Sequence, residues 1–267
     1  FCYRPIRAKS ADTLCRQAIE SLEDSGNSEI TLASLSTSDY RELEALADGL
    51  LRYCEPRKIN LSLPSLRADN FSRELMLRIQ KVRKSGLTFA PEAGSQRLRD
   101  AINKYLTEED LLESCRRAFS GGYSAVKLYF MLGLPTETDE DVLGIADIAA
   151  NVMHAWRESA VNKSRGVRIT VSTSWFVPKP HTAFQWEPQI PIEEYERRVK
   201  LLRGAIRSKA IHYNWHPSPT SFMEAVISCG DRRLCKVIET AWRKGETLSA
   251  WEDYFSLDRW MEAFEER

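Results

Sequence analysis

The sequence predicts an α/β protein: a partial (β/α)6 TIM-like barrel with parallel strands, followed by a C-terminal helical extension. Three observations lead there. Short β-prone runs alternate with amphipathic helical segments through most of the chain, which is the pattern of a β/α repeat. The run Ala125-Val-Lys-Leu-Tyr-Phe-Met-Leu132 is near-continuously apolar, as in a strand covered on both sheet faces, and Lys127 is its only charge. Short, glycine-marked connections precede the strands, and the richer loops follow them, on the face where β/α barrels carry their chemistry.

Helical periodicity covers residues 11 to 24, 39 to 53, 70 to 84, 107 to 120, 139 to 159 and 192 to 208. Between these segments lie the strand candidates Glu29 to Ser34, Lys58 to Leu63, Leu87 to Ala90, Ala125 to Phe130 and Val167 to Ser172. Gly26, Gly86, Gly121 and Gly122 stand where helices should stop before the next strand. Thr138 can cap the helix that begins at 139, with Asp141 at the capping-box position. After residue 174 the pattern changes: Trp175-Phe-Val-Pro-Lys-Pro-His-Thr-Ala-Phe-Gln-Trp186 cannot run on as helix or strand through Pro178 and Pro180, and should fold over the barrel top. The expected division is a barrel over 1–186 and an extension over 187–267, helical from about 217 and ending in Trp260-Met-Glu-Ala-Phe264.

With 267 residues, 43% of them hydrophobic and 28% charged, the chain can bury a substantial core in one large domain. Lys plus Arg and Asp plus Glu balance at 38 each, so no global field recruits nucleic acid or an acidic membrane. No apolar run approaches a membrane span and no signal peptide is visible, which makes the cytoplasm the expected location. The six cysteines are scattered without the short spacing of a structural zinc site, so all but Cys2 read as buried, reduced thiols. Gly-rich nucleotide loops, the zinc-protease His-Glu pair and the Gly-x-Ser-x-Gly elbow are all missing, which removes common kinase and hydrolase chemistries. The chain begins at Phe1 without an initiator Met, and its first residues read as the middle of a motif, so a fragment is expected.

Three turns carry a family likeness: Pro91-Glu-Ala-Gly-Ser95, Gly133-Leu-Pro-Thr-Glu-Thr138 and Pro178-Lys-Pro-His-Thr182. In this order and spacing they resemble radical S-adenosylmethionine enzymes. The nearest look is to an uncharacterised bacterial subfamily that often carries a cobalamin-binding-like region upstream. Its Tyr-Arg-Pro-x-Arg-x-x-Ser segment is similar to Tyr3-Arg-Pro-Ile-Arg-Ala-Lys-Ser10. The resemblance runs from Phe1 to the C-terminal helices.

The resemblance implies a 4Fe-4S cluster held by a Cys-x-x-x-Cys-x-x-Cys motif, with one iron open to S-adenosylmethionine. An electron passed to the sulfonium would release methionine and a 5'-deoxyadenosyl radical that modifies an unknown substrate, while the barrel orients and shields the chemistry. An electron donor such as flavodoxin or ferredoxin is implied, and cobalamin through an upstream domain is a further expectation. Two registers are open at the start. In one, Cys2 is the third cluster ligand; in the other, Phe1-Cys2 lie just past the motif and every cluster cysteine is upstream. The second is favoured, because the subfamily spaces a short segment between its last cluster cysteine and Tyr-Arg-Pro. In either register this stretch alone does not assemble the cluster.

Further positions carry over one by one. Ser34 and Ser36 fall where the family receives the methionine amino group. Glu92 falls where it uses Glu or Gln for the ribose hydroxyls, and a carboxylate accepting two donors suits that task. Lys104 takes the place where related methylthiotransferases put an Arg for the methionine carboxylate, keeping the charge without the fork. Gly133 and Pro135 would let the backbone pass close to the adenosyl group. Glu137 reads as a helix first-turn acid rather than a catalytic group. Lys127 must reach the barrel mouth or pair with a carboxylate, because an unpaired buried charge is too costly. Of the histidines, His181 is the one placed to face the site, although a loop histidine is more commonly a surface residue; His212 and His216 read as packing in the extension. Arg4 and Arg7 could meet an anionic substrate or the cluster, or form surface salt bridges. Two other readings stand beside this one: a barrel relic that binds RNA or a ribosomal partner without chemistry, and a methylthiotransferase-like RNA modifier. The latter expects a basic RNA-binding domain, which a neutral chain ending Phe264-Glu-Glu-Arg267 does not supply.

Overall fold

The computed structural model describes residues 7–32, 40–62, 87–164 and 166–267. In chain order the described elements are α1 (Ala11–Ser25), β1 (Glu29–Thr31), α2 (Leu43–Arg57), β2 (Asn60–Ser62), β3 (Leu87–Glu92), α3 (Gln96–Ala101), α4 (Glu108–Ser120), β4 (Ala125–Leu132), α5 (Asp139–Ser159), β5 (Arg168–Trp175), α6 (Ile192–Ala205), β6 (Ile211–Trp215), α7 (Ser218–Cys229), α8 (Leu234–Arg243) and α9 (Leu257–Glu265). The strand and helix alternation expected from periodicity is present, and every described strand pair is parallel. The expected helix at 70 to 84, and the end of the first strand at Ala33 and Ser34, lie outside the described residues.

Local chemistry sets the helix ends. Ser10 caps α1 by accepting the Thr13 N–H at 3.3 Å, and Gly26 closes the helix in the left-handed region at φ 67°. Thr107 with Asp110 and Thr138 with Asp141 form complete capping boxes on α4 and α5. The helix α1 packs on α2, and together with the β1-β2 pair they bury Leu43, Leu46, Leu50, Leu51 and Leu61 in a core of their own.

The larger sheet runs in the order β3-β4-β5-β6. Alternation along the strands sends Leu87, Phe89, Val126, Leu128, Phe130, Ile169, Val171 and Ile211 into one core, where α4, α5 and α6 supply Leu111, Ile145, Val152, Tyr195 and Leu202. Each fully buried side chain of this kind contributes roughly 1.5–3 kcal/mol of transfer free energy. The other face is not covered by these helices. In β4 the residues between the core positions, Lys127 and Tyr129, are half-buried and exposed respectively, which corrects the reading of a strand buried on both sides.

The strand β6 is absent from the sequence reading, which placed Ile211–Trp215 in the helical extension. It pairs with β5 over five residue pairs, and α6 lies on the same core, so the β/α pattern continues past residue 186. His212 is therefore a strand residue opposite Thr170 rather than extension packing. A helical layer begins with α7 and closes around Met223, Val237, Ala241, Trp260 and Ala263. The partly buried Phe222 touches both this cluster and the sheet core. Cys54 and Cys115 are buried as expected, but Cys229 and Cys235 are exposed on this helical layer. Burial pushes the Cys115 thiol up to about 12, leaving it inert.

One contact fixes the loop after β3 against α5. A Cβ on Gly94 would collide with the Asp141 carbonyl oxygen and stand 2.6 Å from the Ile145 nitrogen. A Cβ on Gly144 would come within 2.7 Å of the Gly94 oxygen. Both obstacles are backbone, which does not swing aside. Gly94→Ala is therefore expected to cost about 1–3 kcal/mol by overpacking, read as a lowered midpoint in urea denaturation.

Candidate functional site

The loops leaving β3, β4 and β5 meet at the carboxyl ends of these strands. Ala93 of the first, Leu134 of the second and Phe176 of the third share a buried cluster with Leu98, bordered by Ile102, Met131 and Phe184. Two of the turns that carried the sequence likeness, those at Pro91 and Gly133, are thus joined by side-chain packing, together with Phe176 and Phe184 on either side of the third. In parallel sheets this edge is where ligands bind.

The end of β3 is bent. Pairing with β4 shifts register between Phe89 and Glu92, and Glu92 itself sits at φ 70°, in the left-handed region that non-glycine residues seldom occupy. Such strain points to a positioned side chain. Its carboxylate is mostly covered, with 28% of the side chain exposed, and Lys104 Nζ approaches Oε1 at 3.4 Å. The other carboxylate oxygen accepts no hydrogen bond among the described residues. Burial raises the Glu92 carboxyl above the usual carboxylate range, and the Lys104 ammonium opposes that rise.

Lys104 reaches this place because Arg99 clasps two loops. Arg99 is only 2% exposed; its guanidinium donates to the Ala93 carbonyl at 3.0 Å, the Leu106 carbonyl at 3.1 Å and Gln96 Oε1 at 3.1 Å. The Lys104 N–H in turn donates to the Arg99 carbonyl at 2.8 Å. Asn103, at φ 55°, turns the chain back toward β3.

A second support centres on Asp141. Beyond its capping role it accepts from the Ser95 hydroxyl and the Arg97 guanidinium, tying the β3 loop to the start of α5. Burial works against its charge, but the bonds from Ser95, the Thr138 N–H and Arg97 outweigh it and hold the carboxyl below its ordinary range. Arg97 also donates to the Thr136 carbonyl at 3.0 Å, so one guanidinium ties α3 to both the second motif turn and α5.

Glu137 is not a solvated first-turn acid. It is 8% exposed, accepts the Gly133 N–H at 2.6 Å and pairs with Arg198 of α6, whose Nε also reaches Glu194 at 2.8 Å. Burial pushes its carboxyl up to about 7, against the pull of the Gly133 N–H and Arg198. Gly133 stands at φ 86°, where glycine is at ease, and a Cβ there would meet Ile190 at 2.9 Å and Trp175 at 3.4 Å. The pairing and packing of this turn account for Gly133 and Glu137.

The structure brings Glu92, Lys104, Gly133 and Pro135 to one edge of the sheet, on the turns after β3 and β4 and on the loop after α3. Ser34, Ser36 and Cys2 lie outside the described residues, as does Arg4. Among the described residues no three His, Cys, Asp or Glu side chains converge to hold a metal ion. The chemistry of Glu92 and Lys104 does fit S-adenosylmethionine, pairing a free acceptor oxygen with a cation. His181 is exposed at φ 62°, with its backbone N–H donating to Gln185 at 3.2 Å. Lys127 has no carboxylate partner among the described residues; its ammonium lies over the Tyr129 ring, 4.4 Å from the centroid. Sequence reasoning missed Arg99 and Arg198. In Arg97-Leu-Arg99 nothing local tells the buried arginine from the exposed one.

Comparison with known proteins gives consistent findings. The family model described as the radical SAM superfamily matches residues 1–149. An uncharacterised protein of Methanocaldococcus jannaschii is 29% identical over 269 residues, covering 99% of this chain and 55% of that one. The chain thus spans about half the length of that curated relative. Streptococcus suis SuiB bound to S-adenosylmethionine superposes with a TM-score of 0.56 at 11% identity, over 83% of this chain and 48% of that one. The archaeal Methanocaldococcus infernus Elp3 with an N-terminal deletion gives 0.51 at 15% identity, over 86% and 63%. At these identities the two structures speak for the fold.

Replacing Arg99 by Met should leave the Ala93 and Leu106 carbonyls unpaired. The expected loss is about 2–4 kcal/mol in urea denaturation, with faster amide exchange across residues 93–106.

Proposed function

The chain belongs to the radical S-adenosylmethionine superfamily, and from that premise we propose that it forms the barrel of an enzyme that binds a 4Fe-4S cluster and S-adenosylmethionine in the intact protein. When bound, these groups would supply a 5'-deoxyadenosyl radical that takes a hydrogen atom from the substrate. The observation that carries the reading is the strained, half-buried Glu92 beside Lys104, at the edge where the first two motif turns pack together.

In this reading the second Glu92 oxygen accepts the ribose hydroxyls, and Lys104 neutralises the methionine carboxylate while steadying Glu92. The Gly133 to Pro135 turn, held in place by Glu137 and Arg198, would let the backbone pass close to the adenosyl group. Ser34 and Ser36 receive the methionine amino group. The cluster is held by cysteines of the intact protein, with Cys2 as one of them in the alternative register. A small reductant protein such as flavodoxin or ferredoxin delivers the electron. Among the described residues no helix is long and apolar enough to cross a membrane.

Anaerobic iron-sulfur reconstitution of the full-length protein should give dithionite-dependent 5'-deoxyadenosine, and a protein that makes none would sink the proposal. Glu92→Gln should weaken S-adenosylmethionine binding about tenfold or more by calorimetry, since hydrogen bonds to a charged acceptor are the stronger kind. The sign of the pH effect follows from the raised Glu92 pKa. Hydroxyl donors favour the ionised carboxylate, so wild-type affinity is full at high pH and falls on acidification sooner than for an ordinary carboxylate. The Gln variant should lack that fall.

A further inference from the structure

The face of the β3 to β6 sheet opposite α4, α5 and α6 carries a graded set of polar groups. The parallel register places Thr88, Lys127, Thr170 and His212 side by side across four strands, and Tyr129, Ser172 and Asn214 side by side in a second row. No hydrogen bond joins any of these side chains to another group among the described residues. The opposite, helix-packed face behaves differently: its polar pair, Thr173 Oγ1 and Tyr213 OH, satisfy each other at 2.9 Å. Tyr129, His212 and Asn214 are exposed, Thr88, Lys127 and Thr170 half-buried and Ser172 buried, so the row runs from the surface inward with donors and acceptors available to a ligand.

Positive charge predominates on these strands. Among all residues of β3 to β6 the only carboxylate is Glu92, engaged by Lys104 at 3.4 Å, against the cations Lys127 and Arg168. The Lys127 ammonium is held over the Tyr129 ring, which stabilises a cation without taking up its donor hydrogens. Lys127 lies five residues before Leu132, the last residue of β4, or about 16 Å along the strand. A ligand clamped at Lys127 would thus extend toward the carboxyl edge where Glu92 stands.

The geometry points to a substrate that carries an anionic group, a carboxylate or a phosphate, bound to Lys127, with Thr170, Ser172 and His212 completing its hydrogen bonds. Calling this ligand the substrate rests on the function proposed above; the anion site itself does not. Lys127 is then the specificity-determining residue of the sheet face. The anion fixes the buried end of the substrate, and the reacting end points to the cofactor edge.

The test uses full-length reconstituted protein with S-adenosylmethionine present, titrated by calorimetry with inorganic phosphate and, separately, with citrate. Wild type should bind at least one of the two, and the preferred one separates phosphate from carboxylate substrates. Lys127→Arg should retain the binding, while Lys127→Met, which keeps the stem and loses the charge, should weaken it about tenfold or more. Parallel titrations with S-adenosylmethionine should be the same for all three proteins, which shows that the variants are folded. Binding of neither anion by wild type, or undiminished binding by Lys127→Met, overturns the assignment. Anion binding that follows Lys127 in a protein that takes up no S-adenosylmethionine would uphold the anion site and sink the cofactor reading instead.

Discussion

The pairing register of β4 between β3 and β5 is the constraint on which the rest depends. Side chains alternate with a period of two, so a slip of one residue would carry Val126, Leu128, Phe130 and Leu132 out of the core and Lys127 into it. The four apolar side chains together outweigh any local preference, and an unpaired Lys127 in the core would add a charge penalty. The same register that builds the core therefore also builds the polar face opposite. Structure and recognition are set by one choice.

Upon that sheet, the functional edge is assembled by buried charge rather than by regular structure. Asp141, Arg99 and the Glu137-Arg198 pair each draw together loops that the strands leave open. Buried pairs of this kind add little net stability, because desolvation offsets most of their attraction, but breaking one leaves an orphaned charge. Their value here is positional. Gly94 against Gly144 adds a steric lock, bringing the β3 loop within backbone contact of α5. Glu92 can hold a strained conformation because these supports over-determine its place.

Much of this was legible in the chain. The helix spans at 11 to 24, 107 to 120 and 139 to 159, the last with its capping signal at Thr138, needed only local pattern, and the structure repeats them closely. The turns after β3 and β4 were recognisable because glycine and proline at fixed offsets leave the backbone few alternatives. The strand β6 escaped notice because its outward residues, His212 and Asn214, are polar and its run is short, so its alternation looks like a loop. Arg99 was not singled out, and Glu137 was read as a plain helix first-turn acid, for a related reason: an arginine or glutamate near a helix start is usually solvated, and only the covering loops make these two buried.

The sequence by itself determined the β/α alternation, the parallel sheet, the helix cap at Thr138 and the family. Each depends on periodicity or on residues within a few positions of one another. Tertiary structure alone decided which charges are buried, that Lys104 meets Glu92, and that Lys127 faces an open polar row. The partners concerned are 46 residues apart for Ser95 and Asp141 and 61 apart for Glu137 and Arg198. A contact at that separation is made by packing the elements, and no local propensity encodes it.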